Sequence, residues 1–311
     1  MQTFCTIVTA DHIPFAKALY SSLQQYHPGS GLQVLVVDGE PGNSHDQLVF
    51  LTLEDMSQNS FFSNIRQKYA HTNADIFRWA LKPVLIGQLL EKGFSKVIFA
   101  DPDLYFVNKF DFLFGLLDTY GILLTPHWAD LDVIKSEDSV LSVLRNGLFN
   151  AGFVGASLAG LPAIQWWAGM CHYKMERRQD LGIYDDQKYL DILPVQFENV
   201  HILKHQGCNI ASWNIHSCKR EMIDGNLLIN KKYEPVFIHF AKETIANILN
   251  RNDALLRPYL DQYSAVLQKE GVDLLKESDH AKFDSSMYSV KHKLRLRTRI
   301  KRFFFLLAEK L

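Results

Sequence analysis

The sequence predicts an α/β protein with a mixed, mostly parallel central sheet flanked by helices. Three observations carry this reading. The chain opens β-α-β; its strand-like runs are apolar throughout instead of alternating with polar residues, as expected for strands covered on both faces; and 311 residues at 47% hydrophobic content supply a large core. "TFCTIVTA" is a β-branched run. In "IPFAKALYSSLQQY", Phe15, Leu19, Leu23 and Tyr26 recur at helical spacing, and "HPGSG" stops the helix. "LQVLVVD" is the second strand. The stretch from "SQNSFF" to "EKGF" is helical in pattern and feeds the strand "KVIFA". "YGILLTP" and "LFNAGFVGAS" read as strands, and "LPAIQWWAGMCHYKMERR" as a helix with Pro162 near its start. "DDQKYLDIL" reads as a short helix opened by acidic residues, which suits the positive end of a helix dipole. "NVHILK", "CNIASWNIH", "NLLIN" and "PVFIHF" are short strand or loop pieces. With no internal repeat and no low-complexity linker, residues 1–245 are expected to form one domain, 246–287 helices packed on it, and 288–311 a separate tail.

Charge is unevenly placed. The formal net charge is -1, yet residues 291–311 hold eight Lys/Arg against the single acid Glu309. Cys5, Cys171, Cys208 and Cys218 lie far apart with no C-x-x-C pair, which reads as reduced thiols in a cytosol-like compartment. The N-terminus runs straight into a strand, and no apolar run approaches the roughly 20 residues that span a bilayer. A cytoplasmic protein is the expectation.

The strongest local signal is "FADPDLYF". In an extended chain, residues i and i+2 point the same way, so Asp101 and Asp103 share one space while Pro102 fixes the backbone between them. Two adjacent carboxylates repel unless a proton or a cation compensates, and a hard divalent cation with oxygen ligands is the usual solution. The alternative is a plain Asp-Pro turn ending the strand. A haloacid-dehalogenase-type phosphatase also begins with Asp-x-Asp, but at an early strand and followed by small residues, whereas Leu104 and Tyr105 follow here.

Taken in order, "KPVLIGQLLEKGFSKVIFADPDLYF", "LFNAGFVG", "DDQKYLDILP", "GCNIASWNIH" and "PVFIHF" resemble the GT-A fold nucleotide-sugar glycosyltransferases of the glycogenin and bacterial galactosyltransferase (family 8-like) type, from about residue 4 to 245. The resemblance implies a (Rossmann-like) GT-A domain and a nucleotide-sugar donor, a UDP-sugar first. It maps nucleotide contacts onto Thr9, Ala10 and Asp11 of "VTADH", with Asp38 as a further base or ribose contact. Helix capping and turn chemistry are the alternatives for Asp11 and Asp38. It maps the metal site onto Asp101, Asp103 and His239, although a lone histidine in an apolar strand is also an ordinary core residue. An imidazole beside carboxylates favours Mn2+ over Mg2+. Asn150, Ala151 and Gly152 fall where the family approaches donor sugar and acceptor. Asp186 and Gln187 match its catalytic Asp-Gln pair, with Asp185 left as a helix cap. Lys82 matches a basic position near the diphosphate, a solvated lysine being the alternative. Trp213 and Asn214 are placed along the pocket. The family's Lys-Pro-Trp ending is absent, and Lys242 of "HFAKET" stands in its neighbourhood.

The implied activity is metal-dependent transfer of a hexose to a glycan or lipid-linked acceptor, as in bacterial surface polysaccharide synthesis. Asp186 can serve either stereochemical course, and the resemblance leans to retention. A sugar nucleotidyltransferase would carry a Gly-rich basic loop where "TADHIPFAK" stands, and a non-catalytic sugar-binding module would need neither acidic pair. Nothing points to nucleic acid. In the tail, seven basic residues between Lys291 and Arg302 precede the apolar run Phe303–Leu307, a pattern suited to an anionic membrane surface; packing on the chain's own domain or on a second subunit is the alternative. If the tail binds membrane, the full chain floats with anionic liposomes and a chain lacking residues 288–311 does not; equal flotation of the two excludes it.

Overall fold

The computed structural model of the protein describes residues 1–45 and 47–274. The tail expected at 288–311, with residues 275–287 of the expected helical segment, lies outside the described residues. Met1–Val272 form one compact unit.

The strands are, in chain order, β1 (Gln2–Val8), β2 (Leu32–Val36), β3 (Leu48–Leu51), β4 (Lys96–Ala100), β5 (Leu104–Phe106), β6 (Ile122–Pro126) and β7 (Phe149–Ser157). Six shorter ones follow: β8 (Arg177–Arg178), β9 (Ile183–Tyr184), β10 (Val200–Ile202), β11 (Arg220–Ile223), β12 (Asn226–Ile229) and β13 (Phe237–His239). The helices are α1 (Ile13–Tyr26), α2 (Ser60–Tyr69), α3 (Ala74–Ala80), α4 (Lys82–Glu91) and α5 (Asp111–Leu116), then α6 (Val133–Asn146), α7 (Leu161–Tyr173), α8 (Leu193–Gln196), α9 (Lys242–Leu249) and α10 (Arg257–Lys269).

The central sheet has seven strands in the order β10-β6-β7-β4-β1-β2-β3. Neighbours pair in parallel except at β7, which runs antiparallel to both β4 and β6. The sheet is covered on both faces, and the strand period of two explains how. Phe4, Val34, Ile98 and Leu123 face the cluster that holds α1, α5 and β5, while Cys5, Leu35, Phe99 and Leu124 face the cluster built with α2, α4 and α7. Phe4 meets Phe106, Phe110 and Phe114 edge-on at centroid distances of 5.4, 5.3 and 5.1 Å, contacts that add about 0.5–1.5 kcal/mol each beyond the area buried. All nine residues of β7 are buried.

Local chemistry sets the helix boundaries. Asn59, Asn73 and Asp132 accept hydrogen bonds from the first free N–H groups of α2, α3 and α6, and a proline stands at the start of α1, α4, α7 and α10. Helix α4 is buried from Lys82 through Leu90 because α7 covers it, Gly87 facing Ile164 and Leu161. That arrangement draws a lysine into the interior at its first turn.

Two local expectations are corrected. The helix starting at Leu161 stops at Tyr173 instead of running through Arg178, because Lys174 turns extended and Arg177–Arg178 pair with β9; tertiary pairing overrides a favourable helical pattern. "DDQKYLDIL" forms a 3-10 turn, Gln187–Ile192, since Pro194 lacks the N–H that an α-helix would direct back to Leu190. The short strand expected in "PVFIHF" forms as β13 and pairs with β5 outside the central sheet, His239 opposite Leu104. Downstream of it, Tyr263 of α10 is fully buried and stacks on Phe240 at 4.6 Å, and the buried Arg220–Asp253 ion pair (3.1 Å) joins β11 to the turn before α10.

The approach to β13 depends on Gly207: a Cβ there would lie 1.9 Å from the Glu234 carbonyl oxygen, while Val236 N–H donates to the Gly207 carbonyl at 2.7 Å. Gly207→Ala is expected to destabilise the protein by about 1–3 kcal/mol, the usual cost of overpacking, read as a lower urea midpoint at unchanged m-value.

Candidate active site

The parallel strand β4 ends at Ala100, and its next residue, Asp101, is anchored by donating its N–H to the Gly152 carbonyl of β7 (2.8 Å). The Asp101 carbonyl accepts from Leu104 N–H (3.0 Å), closing a tight turn through Pro102, so that β5 starts at once and Asp103 is held beside Asp101. Because β13 pairs with β5, His239 arrives at the same place: its Nε2 lies 3.1 Å from Asp103 Oδ1. One candidate ligand atom from each of Asp101, Asp103 and His239 lies within 4.8 Å of the others. The Asp101 and Asp103 side chains retain 26% and 33% exposure and are therefore open to a ligand.

Lys82 is drawn into this cluster, not solvated. Its Nζ lies 3.2 Å from Asp101 Oδ1 and 3.6 Å from Asp186 Oδ2, donates to the Ala151 carbonyl at 3.2 Å, and sits 5.1 Å from the Phe99 ring centroid. Burial disfavours its charge, but Asp101 and Asp186 more than offset that and raise its pKa. One lysine does not neutralise three carboxylates. Burial likewise opposes ionisation of Asp103 and protonation of His239, yet their mutual attraction prevails, lowering the first pKa and raising the second. A proton shared on that pair does the compensating work that a cation does elsewhere. Two carboxylates and an imidazole fit a divalent cation of the Mn2+ or Mg2+ kind, which would bind in exchange for the proton on Nε2.

Asn150 and Gly152 shape the site from β7. Asn150 Oδ1 accepts from Gly152 N–H (2.7 Å); its Nδ2 donates to Asn209 Oδ1 (3.1 Å) and faces His239 Nδ1 at 3.3 Å, so the amide orients the imidazole. Asn209 is fully buried, with backbone φ at +62°. It is not among the site residues expected from the sequence; its signal there is an asparagine, a residue that tolerates the left-handed region, inside the run "GCNIASW". At Gly152 an added Cβ would fall 2.6 Å from Asp101 Oδ2, 2.8 Å from Asn150 Oδ1 and 3.0 Å from His239 Cε1.

Asp186 supplies the third carboxylate. It is buried, its Oδ2 has no hydrogen-bond partner, and burial pushes its pKa up to about 6 against the pull of Lys82. Gln187 spans the strand start, accepting from Ala151 N–H (3.3 Å) and donating to the Asn146 carbonyl (2.9 Å). Asp185 does not cap the following turn: it binds Arg177 Nε at 2.6 Å with its own backbone at φ +45°.

The remaining expected residues are placed as follows. Ala10 N–H donates to Asp38 Oδ1 (2.7 Å) and Thr9 Oγ1 meets His12 Nδ1 (2.7 Å), so both side chains are used in the turn after β1. Asp11 is exposed, and the N-cap of α1 is His12. Trp213 packs edge-on against His239 at 5.1 Å and lies 5.9 Å from the ring of His127, whose pKa burial lowers to about 4. Asn214 is fully buried and donates to the Asn209 and His127 carbonyls, bracing the loop. Lys242 opens α9 and is exposed.

No family model matches the chain. Two uncharacterised proteins of Bacillus subtilis (strain 168) are similar along most of their length: YfnD, 28% identical over 253 residues, 78% of each chain, and YfnF, 24% identical over 252 residues, 79% of this chain and 82% of that one. Among solved structures, mouse xyloside xylosyltransferase 1 in its apo form superimposes with a TM-score of 0.46 at 14% identity, covering 78% of this chain and 99% of that one. The galactosyltransferase LgtC with donor and acceptor sugar analogues gives 0.47 at 15% identity, covering 78% and 87%. Superposition at this level leaves the assignment of a function to the chain's own residues.

The close approach at Gly152 leaves no room for a Cβ, so if Asp101, Asp103 and His239 hold Mn2+, Gly152→Ala should remove the thermal shift given by Mn2+ while leaving the far-UV circular dichroism spectrum of the wild type. An unchanged Mn2+ shift would show that the three ligands do not depend on that approach.

Proposed function

We propose that the chain is a metal-dependent glycosyltransferase that moves a hexose from a nucleoside-diphosphate sugar, UDP-linked by the resemblance, to a glycan or lipid-linked acceptor. The observation that carries this reading is the division of labour in one cluster: Asp101, Asp103 and His239 meet on one side, and on the other a buried lysine joins Asp101 to Asp186, whose Oδ2 makes no hydrogen bond. A cation held by Asp101, Asp103 and His239 would supply Lewis-acid stabilisation of the negative charge that grows on the departing diphosphate.

The protein's own groups do the rest. Lys82 is held by the Ala151 carbonyl and two carboxylates and adds a positive charge beside the diphosphate without needing to reorganise. Asp186, with its pKa near 6, is mostly ionised at neutral pH. As a base it takes the acceptor hydroxyl proton in an inverting course; in a retaining course the same carboxylate stabilises positive charge developing at the sugar. Asn150 keeps the imidazole oriented, and the small residues Ala151 and Gly152 let a sugar approach the backbone of β7. Parallel strands β1 and β4 both deliver their carboxyl ends here, the customary place for a nucleotide in an open α/β sheet. Thr9, Ala10, Asp11 and Asp38, on the turn after β1, are the proposed nucleoside side of the site, and Trp213 and Lys242 its outer edge. Among the described residues no helix is long and apolar enough to cross a membrane; the cytoplasmic membrane face and the lipid-linked acceptor enter this proposal through the basic tail.

A thermal-shift panel of nucleoside diphosphates and nucleotide sugars, with and without Mn2+, is expected to yield a metal-dependent stabilising donor. Asp101→Asn and Asp103→Asn should abolish transfer from that donor, and Asp186→Asn should lower kcat by about 10²–10⁴-fold with the donor still bound. Full activity in either Asp101→Asn or Asp103→Asn overturns the proposal.

A further inference from the structure

Arg177 takes no part in the chemistry above, yet it touches both flanks of the site. The β8–β9 ribbon sets Arg177 opposite Tyr184 and is closed by Gly182 at φ +67°. From there Arg177 Nε donates to Asp185 Oδ2 at 2.6 Å, and its guanidinium carbon lies 4.9 Å from the Trp79 ring centroid and 5.1 Å from that of Tyr184. Asp185 is buried, and its backbone occupies the left-handed region that side-chain-bearing residues seldom adopt. The residue that follows is Asp186. Trp79 in turn belongs to α3, which passes through Leu81 directly into α4 and Lys82. A single guanidinium thus grips the chain that leads into Asp186 and the helix that leads through Leu81 into the buried lysine.

We propose that Arg177 is a positioning residue that sets the Lys82–Asp186 contact and thereby aims the Asp186 carboxylate at the reacting sugar. This rests on the transferase reading. The physical reason lies in Asp185: a buried carboxylate in a strained backbone conformation persists only while something compensates both the charge and the strain. Arg177 compensates the charge, the ring pair holds the guanidinium plane in place, and the Asp185 N–H to Glu176 carbonyl bond (3.1 Å) completes the turn. On the far side, Trp167 Nε1 donates to the Asp186 carbonyl at 2.9 Å. Asp186 is therefore suspended between two anchors; with the first removed, the turn can relax toward ordinary φ and carry the carboxylate away from Lys82.

The test compares wild type, Arg177→Met, Arg177→Lys and the double variant Arg177→Met/Asp185→Asn. Arg177→Met should lower kcat by about tenfold to a hundredfold, the scale of a misplacement near 1 Å, with donor KM close to wild type and a lower melting temperature, since Asp185 is left buried and uncompensated. Arg177→Lys, which keeps the charge but loses the planar stack, should recover part of kcat, and the double variant should be no worse than Arg177→Met alone. A crystal structure of Arg177→Met should show Asp186 Oδ2 withdrawn from Lys82. An unchanged kcat overturns the proposal, as does a loss that merely tracks melting temperature without recovery in Arg177→Lys. If the wild type transfers sugar from no nucleotide donor, the transferase reading fails by itself and the crystal structure decides: a Lys82–Asp186 distance still at 3.6 Å overturns the positioning role, and a lengthened one supports it.

Discussion

A buried lysine amine shared between two carboxylates and a carbonyl is the contact on which the site depends. Taking Lys82 out of water alone would cost several kcal/mol, and so would leaving Asp101 and Asp186 beside each other uncompensated. Each makes the other tolerable. The same contact brings four remote parts of the chain together: the first turn of α4, the end of β4, β7 at Ala151, and the turn before Gln187. Since α4 is buried from Lys82 through Leu90, the position of the lysine follows from the packing of the helix, not from a surface rotamer.

The face formed by Asp101, Asp103 and His239 has a different origin. Asp103 and His239 meet only because β5 and β13 form a small antiparallel pair beyond the end of the central sheet, with Phe106 and Phe237 packed into the core beneath. That pair is tied to the loop before it, His239 N–H donating to the Ile210 carbonyl at 2.9 Å, and the next residue of this loop toward the N-terminus is Asn209. Asn209 thus reaches the imidazole twice, once through the backbone ladder and once through Asn150. Such double bracing is how a ligand side chain is held to within a fraction of an ångström before any ligand arrives.

Much of this was legible in the residues. The unbroken apolar runs announced a two-sided sheet, and "FADPDLYF", "FNAGF" and "FIHF" marked the three chain segments that do converge, because strand ends and small residues are local signals. What was not legible was long-range. Nothing near Lys82 in the chain says that it is buried; that follows from α7 lying over α4. Asp185 read as a cap because an acid before a helical pattern usually is one, and only the distant Trp79 and Arg177 make it something else. Asn209, Asn214 and Arg220 act through bonds to backbone carbonyls up to dozens of residues away, for which periodicity carries no information.

The antiparallel strand in mid-sheet has a consequence for synthesis. β6 and β10 connect to the rest of the sheet only through β7, so while the ribosome has yet to release residue 157, β6 has no neighbour and the half-sheet that begins at β4 has an open flank. Insertion of that one strand joins the halves and, in the same act, delivers Asn150, Ala151 and Gly152 to the acidic cluster. A nascent chain that has not closed its sheet therefore cannot yet assemble this cluster.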